Sequence, residues 1–164
     1  MLSIKPERGP SFSTMNEVSI ANSQSDSAVE YHLRINQHYA GLHRANSVVI
    51  STPTGSTAYA LSAGGAIVYP SLSVVEIVPV APLTMASRPI IVSGDATIEV
   101  EARIRDGGSI SARGDGLLFG NYVTDTSEMS VKFTVSVHPN KARLLHAPDW
   151  NFFEVLTNKL GWSR

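Results

Sequence analysis

The sequence predicts a mainly β domain, antiparallel and sandwich-like, with one short central helix and one C-terminal helix. Three observations carry this. Alternation of apolar and polar residues recurs at short intervals, most cleanly over residues 28–36, 97–105 and 131–137. Clusters of Gly, Pro, Asn, Asp and Ser separate these runs. The period changes to a helical one at the end of the chain, where Phe152, Phe153, Leu156 and Leu160 fall on one face.

In chain order, residues 1–14 carry Pro, Gly, Ser and charge without periodicity, and are expected to be a loose arm or the remnant of a linker. The domain proper is expected over residues 15–164. Residues 16–21 open the first strand, with Val18 and Ile20 on one face, and the polar residues 22–27 read as a turn. Residues 28–36 set Val29, Tyr31, Leu33 and Ile35 against Glu30, His32, Arg34 and Asn36, which is a half-buried strand. Its hairpin partner is expected over residues 39–44, through a turn at Gln37 and His38. Residues 74–80 form a strand that Pro79 breaks or confines to an edge, because proline cannot donate to a central ladder. An irregular loop follows over residues 83–89, then a strand over 90–92. Residues 97–105 and 109–112 flank a hairpin turn at Asp106, Gly107 and Gly108. Residues 113–116 form a second tight turn, residues 131–137 the last strong strand, and residues 141–145 pair back onto it. Asp149 is placed to cap the terminal helix, and Gly161 to end it. The sum is about nine or ten strands.

The chemistry concentrates in VVISTPTGSTAYALSAGG, residues 48–65. Val48, Val49 and Ile50 read as a buried strand end, and Pro53 and Gly55 turn the backbone out of the ladder. Ser56 or Thr57 can cap a helical turn built from Ala58, Tyr59, Ala60, Leu61 and Ala63, with Gly64 and Gly65 at its end. Free N–H groups at that helix start, with the hydroxyls of Thr52, Thr54, Ser56 and Thr57 around them, make a cradle for phosphate or ribose oxygens, and Tyr59 adds a flat face for a base. The other reading is a capped surface turn. Asn16 and Glu17 can be a polar strand entry, or an amide and a carboxylate that hold two neighbouring hydroxyls. Arg88 suits a structural ion pair or an anion contact, Arg113 either surface or site, and Asp115 a turn.

Composition narrows the classes. The 164 residues suit one domain and carry a net charge of −1, so neither a nucleic-acid nor a membrane-surface footprint is present. With no cysteine there is neither a disulfide nor a thiolate metal site. No signal-peptide core opens the chain, and a cytoplasmic protein is expected. The five histidines show no ligand spacing, so no metal site is expected. The central loop lacks the lysine of a P-loop, and is neither GxGxxG nor the GxSxG elbow of hydrolases.

The segment TPTGSTAYALSAGG, residues 52–65, resembles the nucleotide-binding signature of the bacterial NAD kinases. MNEV at 15–18, SRPIIV at 87–92 and FFEVLTNKLGW at 152–162 follow the order of that family, so the resemblance runs from residue 15 to residue 162. It implies the C-terminal, NAD-binding domain of such an enzyme. By that resemblance Asn16 and Glu17 hold the adenosine ribose of NAD, while Thr57, Ala58, Tyr59 and Ser62, with the hydroxyls of Thr52, Thr54 and Ser56, contact the dinucleotide. Arg44 matches a basic residue that reaches NAD, often across a subunit interface, which implies a homo-oligomer, dimer or tetramer.

The implied reaction passes the γ-phosphoryl group of ATP, or of polyphosphate, to the 2′-hydroxyl of that ribose, giving NADP, with Mg2+ expected in the complete enzyme. Three positions depart from the family pattern: Asn46, which the resemblance implies as a further NAD contact, stands where an aspartate is usual, Leu83 where a histidine is frequent, and Leu117 where a glutamine is common. The family's GGDG motif, bearing the expected base, does not occur in this sequence, so no catalytic residue is assigned here and a GGDG-containing companion domain is expected. The alternative is a degenerate homologue that binds a dinucleotide or only assembles.

Overall fold

The computed structural model describes residues 1–24, 28–104, 108–124 and 130–163. In chain order its strands are β1 (Leu2–Pro6), β2 (Phe12–Thr14), β3 (Glu17–Asn22), β4 (Val29–Ile35), β5 (His38–Ala45), β6 (Ser47–Ser51), β7 (Val74–Val80), β8 (Ile90–Ser93), β9 (Ile98–Arg103), β10 (Gly108–Gly114), β11 (Leu117–Thr124) and β12 (Ser130–Val137). The helices are α1 (Tyr59–Ser62), preceded by a 3₁₀ turn over Gly55–Thr57, and α2 (Phe152–Leu160). Among the described residues the strands form two six-stranded antiparallel sheets, ordered β2-β1-β12-β9-β4-β5 and β11-β10-β3-β6-β7-β8.

Alternation in the sequence becomes the core between these sheets. Ile4, Tyr31, Val100 and Phe133 of the first sheet meet Ile20, Ile50, Ile77 and Ile110 of the second in one buried cluster. Each such side chain contributes about 1.5–3 kcal/mol by leaving water. The Tyr31 hydroxyl donates to the Ile20 carbonyl (3.0 Å) and to the Asn46 carbonyl (3.2 Å), linking the sheets. Burial pushes its proton affinity well up, so it stays a donor. β6 is buried on both faces. Its Val49 turns away from the main core onto Val78 and Ala60, which seats α1 on the outer face of the second sheet.

Several elements differ from the sequence expectation. Residues 2–6 and 12–14 are strands rather than a loose arm: Leu2 and Ile4 are fully buried, and β1 lies between β12 and β2. β11 was not foreseen, because Leu117, Leu118 and Phe119 form an unbroken apolar run that stays exposed on an edge strand. Residues 141–145 form no return strand. β12 already has β1 on one side and β9 on the other, so no ladder edge remains for them. The β4–β5 turn sits at Asn36 and Gln37, both with positive φ, one residue earlier than expected. The helix α2 is capped by Asn151, which accepts from the Phe153 N–H (2.9 Å), and not by Asp149, whereas Gly161 closes it in the left-handed conformation. Pro79 lies inside a central strand. It is tolerated because β8 pairs only as far as Ile77, leaving no acceptor for a missing donor to miss. The expected turns at Asp106 and Gly107 and at residues 25–27 lie outside the described residues.

Candidate functional site

β6 delivers the chain into the loop at residues 52–57, and the loop is fastened to the residues just before β3. The Thr52 N–H donates to the Asn16 carbonyl (2.8 Å), and the Thr52 hydroxyl to the Met15 carbonyl (2.9 Å). Gly55 lies so close to the Asn16 backbone that a Cβ at that position would collide with it. Asn16 and Glu17 therefore stand beside the loop, although 34 residues or more separate them from it in sequence.

Hydroxyls do different work from the one expected of them. Ser56 is fully buried; its Oγ donates to the Pro53 carbonyl (2.7 Å) and accepts from the Val68 N–H (2.9 Å). The Thr52 oxygen also accepts from the Gly55 N–H (3.1 Å), and the Thr57 hydroxyl donates to the Thr54 carbonyl (3.3 Å). Neither Ser56 nor Thr57 caps α1: the N-cap position is Ala58, without a side-chain bond. The helix spans only four residues, so the loop is held by its own hydroxyls rather than by a helix dipole. At its far end the Gly65 N–H reaches the Ala60 carbonyl (2.8 Å) and the Gly64 N–H the Leu61 carbonyl (3.0 Å), a Schellman closure with Gly64 at φ +88. Tyr59 and Ser62 are the exposed side chains of α1, and Thr54, Thr57 and Ala58 are half-buried.

Beneath this loop, cross-strand pairing aligns Glu17 of β3, Ser51 of β6 and Glu76 of β7 on the outer face of the sheet. Both carboxyls are buried, at 7% and 1% exposure, and each has an oxygen without a hydrogen-bond partner. Burial pushes the Glu17 carboxyl above its usual range, and the charge of Asp115 pushes it further. Burial also raises Glu76, opposed in part by the Ala66 N–H that its Oε1 accepts (2.6 Å).

Arg44 and Asn46 are not brought to this place. They flank the start of β6, whereas the loop leaves its end; five strand residues span roughly 16 Å. Arg44 is exposed and paired with Glu30 (2.8 Å). Leu83 is exposed, and its N–H donates to the Arg44 carbonyl (2.8 Å). Next to it, His43 Nδ1 lies 3.0 Å from the Ser87 hydroxyl, and burial lowers its proton affinity. Arg88 and Arg113 are exposed.

Two cavities bracket the choice of site. One of about 580 Å³ lies on the outer face of the other sheet, where Lys5, Arg34 and Lys132 alternate with Glu99 and Glu101. The other, about 270 Å³, is lined by Met15, Thr52, Pro53, Thr54 and Lys141, against the loop itself. Among the described residues no group of three or more His, Cys, Asp or Glu side chains is placed to hold a metal ion.

The family model for the ATP-NAD kinase C-terminal domain matches residues 15–144, which include the loop, Asn16 and Glu17, and both buried carboxyls. The chain belongs to that family. It is 38% identical over 149 residues to the NAD kinase of Nitrosospira multiformis, covering 91% of this chain and 48% of that relative. It is 33% identical over 156 residues to the NAD kinase of Pasteurella multocida, at 92% and 48% coverage. The chain thus spans about half the length of these relatives. Its fold is similar to that of yeast NADH kinase complexed with NADH, with a TM-score of 0.84 at 19% identity over 99% of this chain and 49% of that one. It also resembles an NAD kinase from Archaeoglobus fulgidus in complex with ATP, with a TM-score of 0.67 at 24% identity, covering 82% of this chain and 49% of that one.

Sequence reasoning missed two carboxylates that lie around the loop and the segment fastened to it. Asp115 read as a turn former, yet it accepts three backbone N–H groups from residues 15–17. Glu76 left a signal: it is the one charge within the apolar strand VVEIVPV.

Proposed function

We propose that this chain supplies the NAD-holding half of an NAD kinase, the part that presents the 2′-hydroxyl of the adenosine ribose to a phosphoryl donor. The observation that carries the reading is the fastening of Met15 and Asn16, with Glu17 next in the chain, onto the loop at residues 52–57, which leads into α1 and its exposed Tyr59 and Ser62. A ribose needs neighbouring acceptors and donors for its diol, and an adenine needs a flat face. Thr54, Thr57 and Ala58 complete the lining, while Thr52 and Ser56 hold its shape. In a phosphoryl transfer of this kind the chain's own work is binding and orientation, because effective positioning alone removes a large share of the barrier. ATP or polyphosphate as donor, Mg2+, and a base from a GGDG-containing companion domain belong to the complete enzyme. Arg44 and Asn46, at the far end of β6, would reach NAD from a second copy of the chain in a homo-oligomer. A cytoplasmic location agrees with NAD and ATP as substrates, and no helix among the described residues is long and apolar enough to cross a membrane.

The test is direct. The Tyr59→Ala/Ser62→Ala variant should bind NAD about tenfold more weakly in calorimetry while keeping the circular dichroism of the parent. Unchanged affinity would remove the site from α1. With ATP, Mg2+ and NAD, the purified chain should form no NADP; product formation would show that the base lies within these residues.

A further inference from the structure

The β10–β11 turn places Asp115 at φ +49 and Gly116 at φ +80, a pair of left-handed residues that Asp and Gly tolerate. This turn aims the Asp115 carboxylate at the segment leading into β3. Its Oδ2 accepts the Met15 N–H (2.7 Å), and its Oδ1 accepts the N–H groups of Asn16 (2.8 Å) and Glu17 (3.3 Å). The Asp115 N–H returns a bond to the Glu17 carbonyl (3.2 Å). Three successive amides converging on one point form an anion-binding concavity, here filled by a side chain from 98 or more residues away. On the opposite side of the same segment, Thr52 holds the Met15 and Asn16 carbonyls, and Gly55 abuts the Asn16 backbone. Met15, Asn16 and Glu17 are thus gripped through their N–H groups by one hairpin, which also holds the Glu17 carbonyl, while the loop holds the carbonyls of Met15 and Asn16.

We propose that Asp115 is the positioning residue of the dinucleotide site: its carboxylate fixes the backbone of residues 15–17, so that the Asn16 and Glu17 side chains face the loop and α1 in one register. This rests on the reading of that site as the place where NAD binds. Asp115 acts through Asn16 and Glu17. With both of its oxygens already bonded to amides, it is not the proton acceptor of a transfer step. Charge-assisted bonds to a carboxylate are shorter and stronger than neutral ones, so an amide cannot replace them in full. An edge hairpin that would otherwise read as decoration thereby becomes part of the site.

The test uses the ¹⁵N-labelled chain, comparing Asp115→Ala, Asp115→Asn and Gly116→Asn. Asn tolerates the left-handed backbone and keeps one acceptor oxygen, so Asp115→Asn guards against a variant that fails to fold. Gly116→Asn disturbs the same turn but leaves the carboxylate. Amide proton resonances of Met15, Asn16 and Glu17 should move upfield in Asp115→Ala, less so in Asp115→Asn, and stay in place in Gly116→Asn. NADH affinity, read from the fluorescence of NADH, should fall about tenfold, about threefold and not at all in the same order. The proposal is overturned if Asp115→Ala binds NADH as the parent does, or if Gly116→Asn loses as much. If the parent itself binds neither NADH nor, in calorimetry, NAD, the dinucleotide reading fails separately. The resonances of residues 15–17 then decide the grip, and in Asp115→Ala their constancy overturns it.

Discussion

Glu76 shows how a single residue can be costly and still retained. Its carboxyl is 1% exposed, with Oε1 on the Ala66 N–H and Oε2 unpartnered, and Gly65 leaves its oxygens just enough room. Burial raises its proton affinity in the folded chain above the ordinary glutamate value of 4.5. Below that value both folded and unfolded chains carry the proton, and the penalty is absent. As pH rises past it, the unfolded chain releases the proton while the folded chain keeps it, so stability falls until the folded carboxyl also titrates. Glu76→Gln keeps the acceptor for Ala66 and does not titrate. It should therefore melt at the same temperature as the parent near pH 4 and above it at neutral pH, with the gap widening between. A gap constant across a pH series of thermal melts would assign the effect to packing instead. Ser56 illustrates the opposite economy: a residue that reads as a ligand from its loop context spends its hydroxyl wholly on Pro53 and Val68.

At the scale of elements, β1 decides what the first residues are. A strand of five residues with the burial pattern of alternate inward positions, LSIKP, is too short and too close to Pro and Gly to stand out in the sequence. Pairing with β12 from Leu2–Val137 to Pro6–Phe133 gives it a ladder, and the core gives it two anchors. Ile4→Ala should cost about 2–5 kcal/mol of unfolding free energy in a denaturant titration, the price of a cavity in a filled core. A loose arm would make the same change silent. Helix α2 was legible because its period, cap region and terminal glycine agree. Its docking was not, since the edge contact of Phe152 with Tyr69 (5.4 Å between centroids) joins residues from distant parts of the chain.

At the scale of the molecule, the two sheets separate scaffold from site. The second sheet carries the loop and α1 on its outer face, with Val49, Val78 and Ala60 as the seat. The first carries the ladder of alternating charges along its own outer face. Because Arg44 and Asn46 lie at the end of β6 away from the loop, the proposed function requires a second copy to complete the site. Sedimentation of the purified chain should accordingly give a species at least twice the 17.6 kDa monomer. A monomer that still binds NAD would detach those two residues from the site. What the sequence by itself determined is whatever depends on near neighbours: the period of the long strands, the glycines that close the central helix, and the run TPTGSTAYALSAGG that marks the family. The tertiary structure alone decided which strands had free edges, that β1 belongs to the core, and that Asp115 and Glu76 reach the segments around the loop. Those outcomes depend on hydrogen bonds and burial between residues ten to a hundred positions apart, and no local pattern encodes such a pairing.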